Sequence, residues 1–149
     1  MKINIVSRIP DQNAGRIFAG FDQNLFRYLS PEYPPLKVLR FDGCSKGHKV
    51  EVSLRIFPGI NLKWESEITE SISEGSHFFS FTDVGRVLPF FLSFWQHQHI
   101  IRQQGADVII EDRIAFSGRW FIPAFLSYPM LWFTFNSRKS KYRRYFAQD

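Results

Sequence analysis

The sequence predicts an α+β domain in which a seven-stranded antiparallel sheet wraps around one long C-terminal helix, with two short helices after the first strand. Three observations carry this. Seven segments alternate apolar and polar residues and are separated by turn residues. One early segment, from Asp11 to Ser30, switches to helical spacing. The chain ends in a long run, Trp120 to Phe146, that is apolar first and basic afterwards.

Taken in order, Lys2 to Ile9 reads as a short strand. In the next stretch Ile17, Phe18 and Phe21, then Leu25, Phe26 and Leu29, fall at helical intervals, with Asp11 or Asn13 and then Asp22 available as caps. Gly20 and Asp22 weaken the middle, so two helices fit better than one. The prolines of "SPEYPP" end the helical part. Strands follow at Leu36 to Phe41, Lys49 to Phe57, Leu62 to Ser71, His77 to Thr82, Phe91 to Gln103 and Val108 to Phe116, closed by "DGCSKG", "PGIN", "SEG", "DVGRVLP" and "QGAD". Gly43, Gly59, Gly75 and Gly105 serve these turns. Lys49, Glu51, Ser53 and Arg55 oppose Val50, Val52, Leu54 and Ile56, and Lys63, Glu65 and Glu67 oppose Leu62, Trp64, Ser66 and Ile68. One face of the sheet is therefore wet, and the other needs a cover. The C-terminal run supplies it: a helix entered at Pro123 and kinked near Pro129, whose last turns emerge into water. It falls short of the roughly 20 apolar residues that span a bilayer, and two prolines interrupt it.

Length and composition set limits on function. A chain of 149 residues makes one domain, 1–149, with a single core, and its seventeen phenylalanines suit a thick aromatic interior. The net charge of +5 is concentrated in the tail, where Arg138, Lys139, Lys141, Arg143 and Arg144 face only Asp149. A nucleic-acid binder spreads its basic residues over a face, so no nucleic-acid partner is expected. The tail, with Tyr142, Tyr145 and Phe146, offers at most a weak peripheral contact with an anionic membrane. A single cysteine, Cys44, excludes an intrachain disulfide; it lies in a polar turn and is expected to be inert. The opening "MKINIVSRIP" lacks the features of a signal peptide, so a cytoplasmic location is expected. No glycine-rich turn opens a helix, and no cofactor is expected.

The segments "SPEYPPLKVLRFDGCSKGHKVEVSL", "FTDVGRVLPFFLSFWQHQHIIRQQGADVIIEDRIAF" and "YPMLWFTFNSRKSKYRRYF" resemble the SRPBCC superfamily, the START-like and birch-pollen-allergen-like proteins with a helix-grip fold. The distinctive parts are a "W-x-H-x-H" strand followed by a "D-x-I-x-F" strand, the pattern of a bacterial branch found alone or fused to sugar-nucleotide-epimerase-like proteins. The resemblance implies an internal apolar cavity between sheet and long helix. It does not imply one chemistry, because the superfamily holds lipid carriers, hormone receptors and aromatase and cyclase enzymes.

The candidate site follows from strand alternation. Trp95, His97, His99 and Ile101 share one face, opposite Gln96, Gln98 and Arg102; on the next strand Ile110, Asp112, Ile114 and Phe116 share one face, opposite Glu111 and Arg113. His97 and His99 therefore look inward, and Asp112 is a carboxylate on an apolar face. A buried carboxylate needs a partner, so Asp112 is expected beside one of the two rings. Trp64, Phe79, Phe81 and Phe116 also alternate inward and are candidates for a pocket lining, together with Trp95 and Ile110. A metal site asks for three or four ligands, which the two histidines and Asp112 approach, but His48 lies by a turn and His77 starts another strand, so no further histidine or cysteine is well placed and no metal is expected. The leading reading is a non-catalytic binder or carrier of a hydrophobic small molecule, a lipid or a polycyclic aromatic, oriented by His97, His99 and Asp112. A cyclase-like or hydratase-like enzyme would use His97 or His99 as general base with Asp112 fixing its tautomer. A third reading is a partner-interaction domain without ligand.

Overall fold

The structure, a computed structural model, describes residues 1–147. The elements run β1 (Lys2–Ile9), α1 (Ala14–Ala19), α2 (Gln23–Leu29), β2 (Leu36–Phe41), β3 (Lys49–Phe57), β4 (Ile60–Glu74), β5 (Phe78–Val87), β6 (Phe94–Gln104), β7 (Asp107–Ser117) and α3 (Ala124–Phe146). The seven strands form one antiparallel sheet in the order β1-β7-β6-β5-β4-β3-β2, so the first strand closes against the last and everything between is a meander.

Local chemistry accounts for the elements. Along β1 burial alternates strictly, with Ile3, Ile5, Ser7 and Ile9 inside. Asn13 caps α1 by accepting from the Arg16 amide, and Asp22 caps α2 by accepting from Leu25. Asp11 is not a cap; it turns with a φ of 52° and its amide donates to Asp107. The Tyr33–Pro34 peptide between α2 and β2 is cis. The outer face carries ion pairs such as Lys49–Glu65 at 3.7 Å and Arg86–Glu67 at 3.1 Å, which add little stability but keep that face in water.

Several strand boundaries differ from the sequence reading, and β4 is longer at both ends, Ile60–Glu74 against Leu62 to Ser71. Strand β5 continues through "DVGRV" to Val87, because Val84, Gly85 and Val87 keep pairing with β4 after a register shift. Strand β6 begins at Phe94; Phe91 and Leu92 lie in the preceding turn, where both are buried. Helix α3 is entered at Pro123, as the sequence predicts, with its first helical residue at Ala124 and Trp120 ahead of it almost fully exposed. Among the described residues, no helix is long and apolar enough to cross a membrane.

Helix α3 lays Ser127, Leu131, Phe135, Arg138, Tyr142 and Phe146 against the sheet at intervals of three and four residues. The tail is thus only partly solvated: Tyr142 and Phe146 are core residues, unavailable to a membrane, and Arg138 is 7% exposed. The core falls into two apolar clusters. One joins Ile9, Ile17, Leu25, Phe79, Ile101, Ile110, Tyr142 and Phe146, and the other joins Ile3, Leu54, Trp95, Ile114, Phe116, Leu131 and Phe135. On the inner face of each central element a polar side chain separates them: Asp112 between Ile110 and Ile114, His97 and His99 between Trp95 and Ile101, Arg138 between Phe135 and Tyr142. The result is a polar belt across the middle of an apolar core.

Candidate ligand cavity and its histidine cluster

A cavity of about 160 Å³, partly open to solvent, lies between the inner face of β2–β6, helix α2 and helix α3. Its walls are nearly all apolar, from Leu25, Leu36, Val52, Leu54, Ile68 and Leu131 among others. The polar groups facing it include Asp83, His97, His99 and Arg138.

Pairing fixes the cluster. His97 lies opposite Asp83 on β5, and His99 lies opposite Asp112 on β7. Asp112 is fully buried behind the rings, with its Oδ1 2.8 Å from His97 Nε2 and 3.3 Å from His99 Nδ1. An ionised carboxylate only accepts hydrogen bonds, so the ring nitrogens turned toward it carry their protons. On the cavity side Asp83 Oδ2 lies 3.6 Å from His97 Nδ1 and 3.5 Å from His99 Nε2, while Trp95 Nε1 donates to the other Asp83 oxygen at 3.1 Å. The two imidazoles stand 3.7 Å apart between centroids, with Phe81 stacked on His99 at 4.3 Å and Phe135 edge-on to His97 at 5.0 Å.

This packing sets the charges. Burial, helped by the neighbouring His99, pushes the His97 pKa down to about 4, so its ring is neutral at pH 7. For His99 burial works the same way, but Asp112 and Asp83 outweigh it and raise the pKa. Burial opposes ionisation of both carboxylates, yet the rings hold Asp112 and Asp83 below the usual range. Arg138 stands across the cavity on α3, with its guanidinium 4.2 Å over the Phe135 ring. Its Nε has no hydrogen-bond partner, its side chain interacts with the Tyr142 hydroxyl, and no carboxylate pairs with it among the described residues.

Of the residues expected at the site, Trp64, Phe81, Trp95, His97 and His99 line the cavity. Phe79, Ile110 and Phe116 do not. Phe79 stacks on Phe18 at 4.5 Å, Ile110 is fully buried with it in one apolar cluster, and Phe116 belongs to the other. Asp112 sits behind the histidines rather than on the cavity wall. Three residues were missed. Asp83 opens a segment of turn composition, although continuing the alternation of Phe79 and Phe81 by two residues places it inward. Arg138 has the composition of a solvated tail, yet it stands three residues after Phe135 and four before Tyr142. Cys44 is not in open solvent: it lines the cavity, its Sγ donating to the Phe21 carbonyl at 3.5 Å, and burial raises its thiol pKa to about 12.

No family model matches the sequence, and no curated protein matches it. Solved structures do. Protein CV1439 from Chromobacterium violaceum superposes with a TM-score of 0.70 at 13% identity, over 99% of this chain and 98% of that one. Ara h 8.0201 gives 0.67 at 11% identity over 100% and 99%. The chain has the helix-grip fold. A START superfamily protein from Mycobacterium smegmatis shares it, with a TM-score of 0.59 at 10% identity over 94% and 90%. In the helix-grip frame the cavity lies under the long helix, with the histidine cluster on the sheet that faces it.

Proposed function

We infer that the protein binds a small, mainly apolar molecule in this cavity, with one polar or anionic group turned toward the belt formed by His97, His99, Asp83 and Arg138. The observation that carries this is a cavity with apolar walls in which a buried Arg138, with no carboxylate partner among the described residues, faces a histidine cluster. Its volume is close to the about 150 Å³ of an engineered apolar cavity that takes benzene, so a one-ring or two-ring aromatic acid or phenol suits it better than a long-chain lipid. Apolar burial supplies affinity, and Arg138 supplies orientation through a charge-assisted bond. A non-catalytic carrier accounts for these features without a reaction.

The test is titration with 2-naphthoic acid followed by tryptophan fluorescence, because Trp64 and Trp95 meet edge-to-face at 4.7 Å on the cavity wall. Saturable quenching is expected, lost in Val52→Phe, which fills the cavity. Equal quenching in that variant would refute cavity binding.

The exposed apolar side chains around the start of α3 favour a second reading. Trp120, Phe121, Phe125, Leu126 and Phe133 are 94%, 51%, 61%, 60% and 71% exposed. They suit contact with a membrane surface, from which an apolar ligand is taken up. Co-sedimentation with phosphatidylcholine vesicles should drop in the variant combining Trp120→Ser and Phe125→Ser; unchanged pelleting would exclude this face.

A further inference from the structure

We propose that Asp83, His97 and His99 form a binding site for a divalent first-row transition ion of the zinc class, its open coordination position facing the cavity. The inference does not rest on the apolar-ligand reading.

The donor geometry carries it. One ligand atom from each of the three residues lies within 4.8 Å of the others, and the two Asp83–imidazole distances are 3.5 and 3.6 Å. Those distances exceed a hydrogen bond but nearly match the edge of a tetrahedron. Metal–nitrogen and metal–oxygen bonds of about 2.0–2.2 Å place neighbouring donors about 3.4 Å apart. The two Asp83 edges are already at that spacing, and the edge between the two ring nitrogens, within 4.8 Å, shortens as the ion draws the rings together. Three protein donors with a fourth position left open is the arrangement of reactive rather than structural zinc centres.

The remaining atoms of all three residues are engaged elsewhere, in the manner of outer-shell groups around a metal. Asp112 Oδ1 lies against His97 Nε2 and His99 Nδ1 from behind, which fixes both ring orientations and leaves His97 Nδ1 and His99 Nε2 turned toward Asp83. Trp95 holds Asp83 Oδ1, leaving Oδ2 toward the rings. Three donor atoms thus converge, and the ion takes the place of any proton that Asp83 holds on His99 Nε2, releasing it to solvent. Two carboxylates in a nearly dry cluster supply negative charge that a divalent cation offsets. The further donor that the sequence pattern does not supply among histidines and cysteines is Asp83, while Asp112 stands behind the rings.

The experiment uses the full chain without a histidine tag, stripped with EDTA and titrated with CoCl2, reading visible d–d absorption and calorimetric stoichiometry; ZnCl2 should then displace the cobalt signal. One equivalent per chain is expected. Asp83→Ala should abolish the absorption, and Asp112→Asn should weaken binding roughly 10- to 100-fold while keeping the spectrum. The double variant His48→Gln and His77→Gln should bind as the natural protein does. Thermal melts verify folding, and should Asp83→Ala not fold, Asp83→Asn replaces it. Absence of a cobalt spectrum, an unchanged titration in the Asp83 variant, or loss of binding in the His48 and His77 variant would each overturn the proposal. Because 2-naphthoic acid binding is measured in EDTA, failure of the metal site and failure of the cavity reading are distinguishable.

Discussion

Replacing Asp112 by alanine tests whether the polar belt is a coupled network or a set of tolerated burials. The carboxylate is fully buried, with His97 Nε2 at 2.8 Å and His99 Nδ1 at 3.3 Å as its ring contacts. Its removal leaves the buried His97 ring N–H without its acceptor, costing about 1–3 kcal/mol, and takes from His99 the carboxylate that helps raise its pKa. Relief from desolvating the carboxylate offsets part of this. Breaking a buried pair by deleting one partner typically leaves a loss of about 3–5 kcal/mol. For a chain of this length that lowers Tm by roughly 10 °C. Asp112→Asn keeps the volume and one acceptor oxygen and should cost about 2 kcal/mol. Urea unfolding in EDTA, followed by tryptophan fluorescence, should show a lower midpoint with an unchanged slope. A double-mutant cycle with His97→Gln should give a coupling of about 1 kcal/mol or more. A loss below about 1 kcal/mol in Asp112→Ala, or additivity with the His97 variant, would refute the coupled belt.

Other outcomes follow from the same geometry. Phe79→Ala removes a stacked, nearly buried ring outside the cavity, so it should cost about 3–4 kcal/mol in urea unfolding yet leave 2-naphthoic acid affinity unchanged in the folded protein. Arg138→Met should weaken 2-naphthoic acid binding at least about tenfold while sparing 2-naphthalenemethanol, the neutral analogue, as fluorescence titration reads; equal losses for both would remove Arg138 from recognition. With its thiol pKa raised to about 12, Cys44 should react with a disulfide reagent at pH 8 roughly a thousandfold more slowly than a free thiol, and prompt release of chromophore would contradict its burial.

The inward direction of His97, His99 and Asp112 was legible because strand alternation is a strict local rule and each stands between apolar neighbours two residues away. The seven strands and the closing helix were legible for the same reason. The cavity wall was not. Phe79 and Phe81 are identical in pattern, yet Phe79 lies under α1 and Phe81 beside the cavity, a difference set by where α1 packs. Asp83 was lost because "DVG" has turn composition, while pairing to β4 on one side and β6 on the other keeps the strand extended. Arg138 was lost because a cation among four others looks solvated until the helix phase is counted from Phe135.

The two halves of α3 are held very differently. Beyond Arg138 the helix is tied down: Lys141 donates to the Ser30 carbonyl, Arg143 to that of Arg8, and Gln12 to that of Phe146, around the fully buried Tyr142. Its start has no side-chain cap, Pro129 withholds one rung of the backbone ladder, and Phe125 and Leu126 stand mostly in solvent. The first turns are therefore the cheapest stretch of this roof to lift, and amide exchange should be fastest there. A guest reaching the histidines would enter by loosening that eave, with the gable at the far end never leaving its footing.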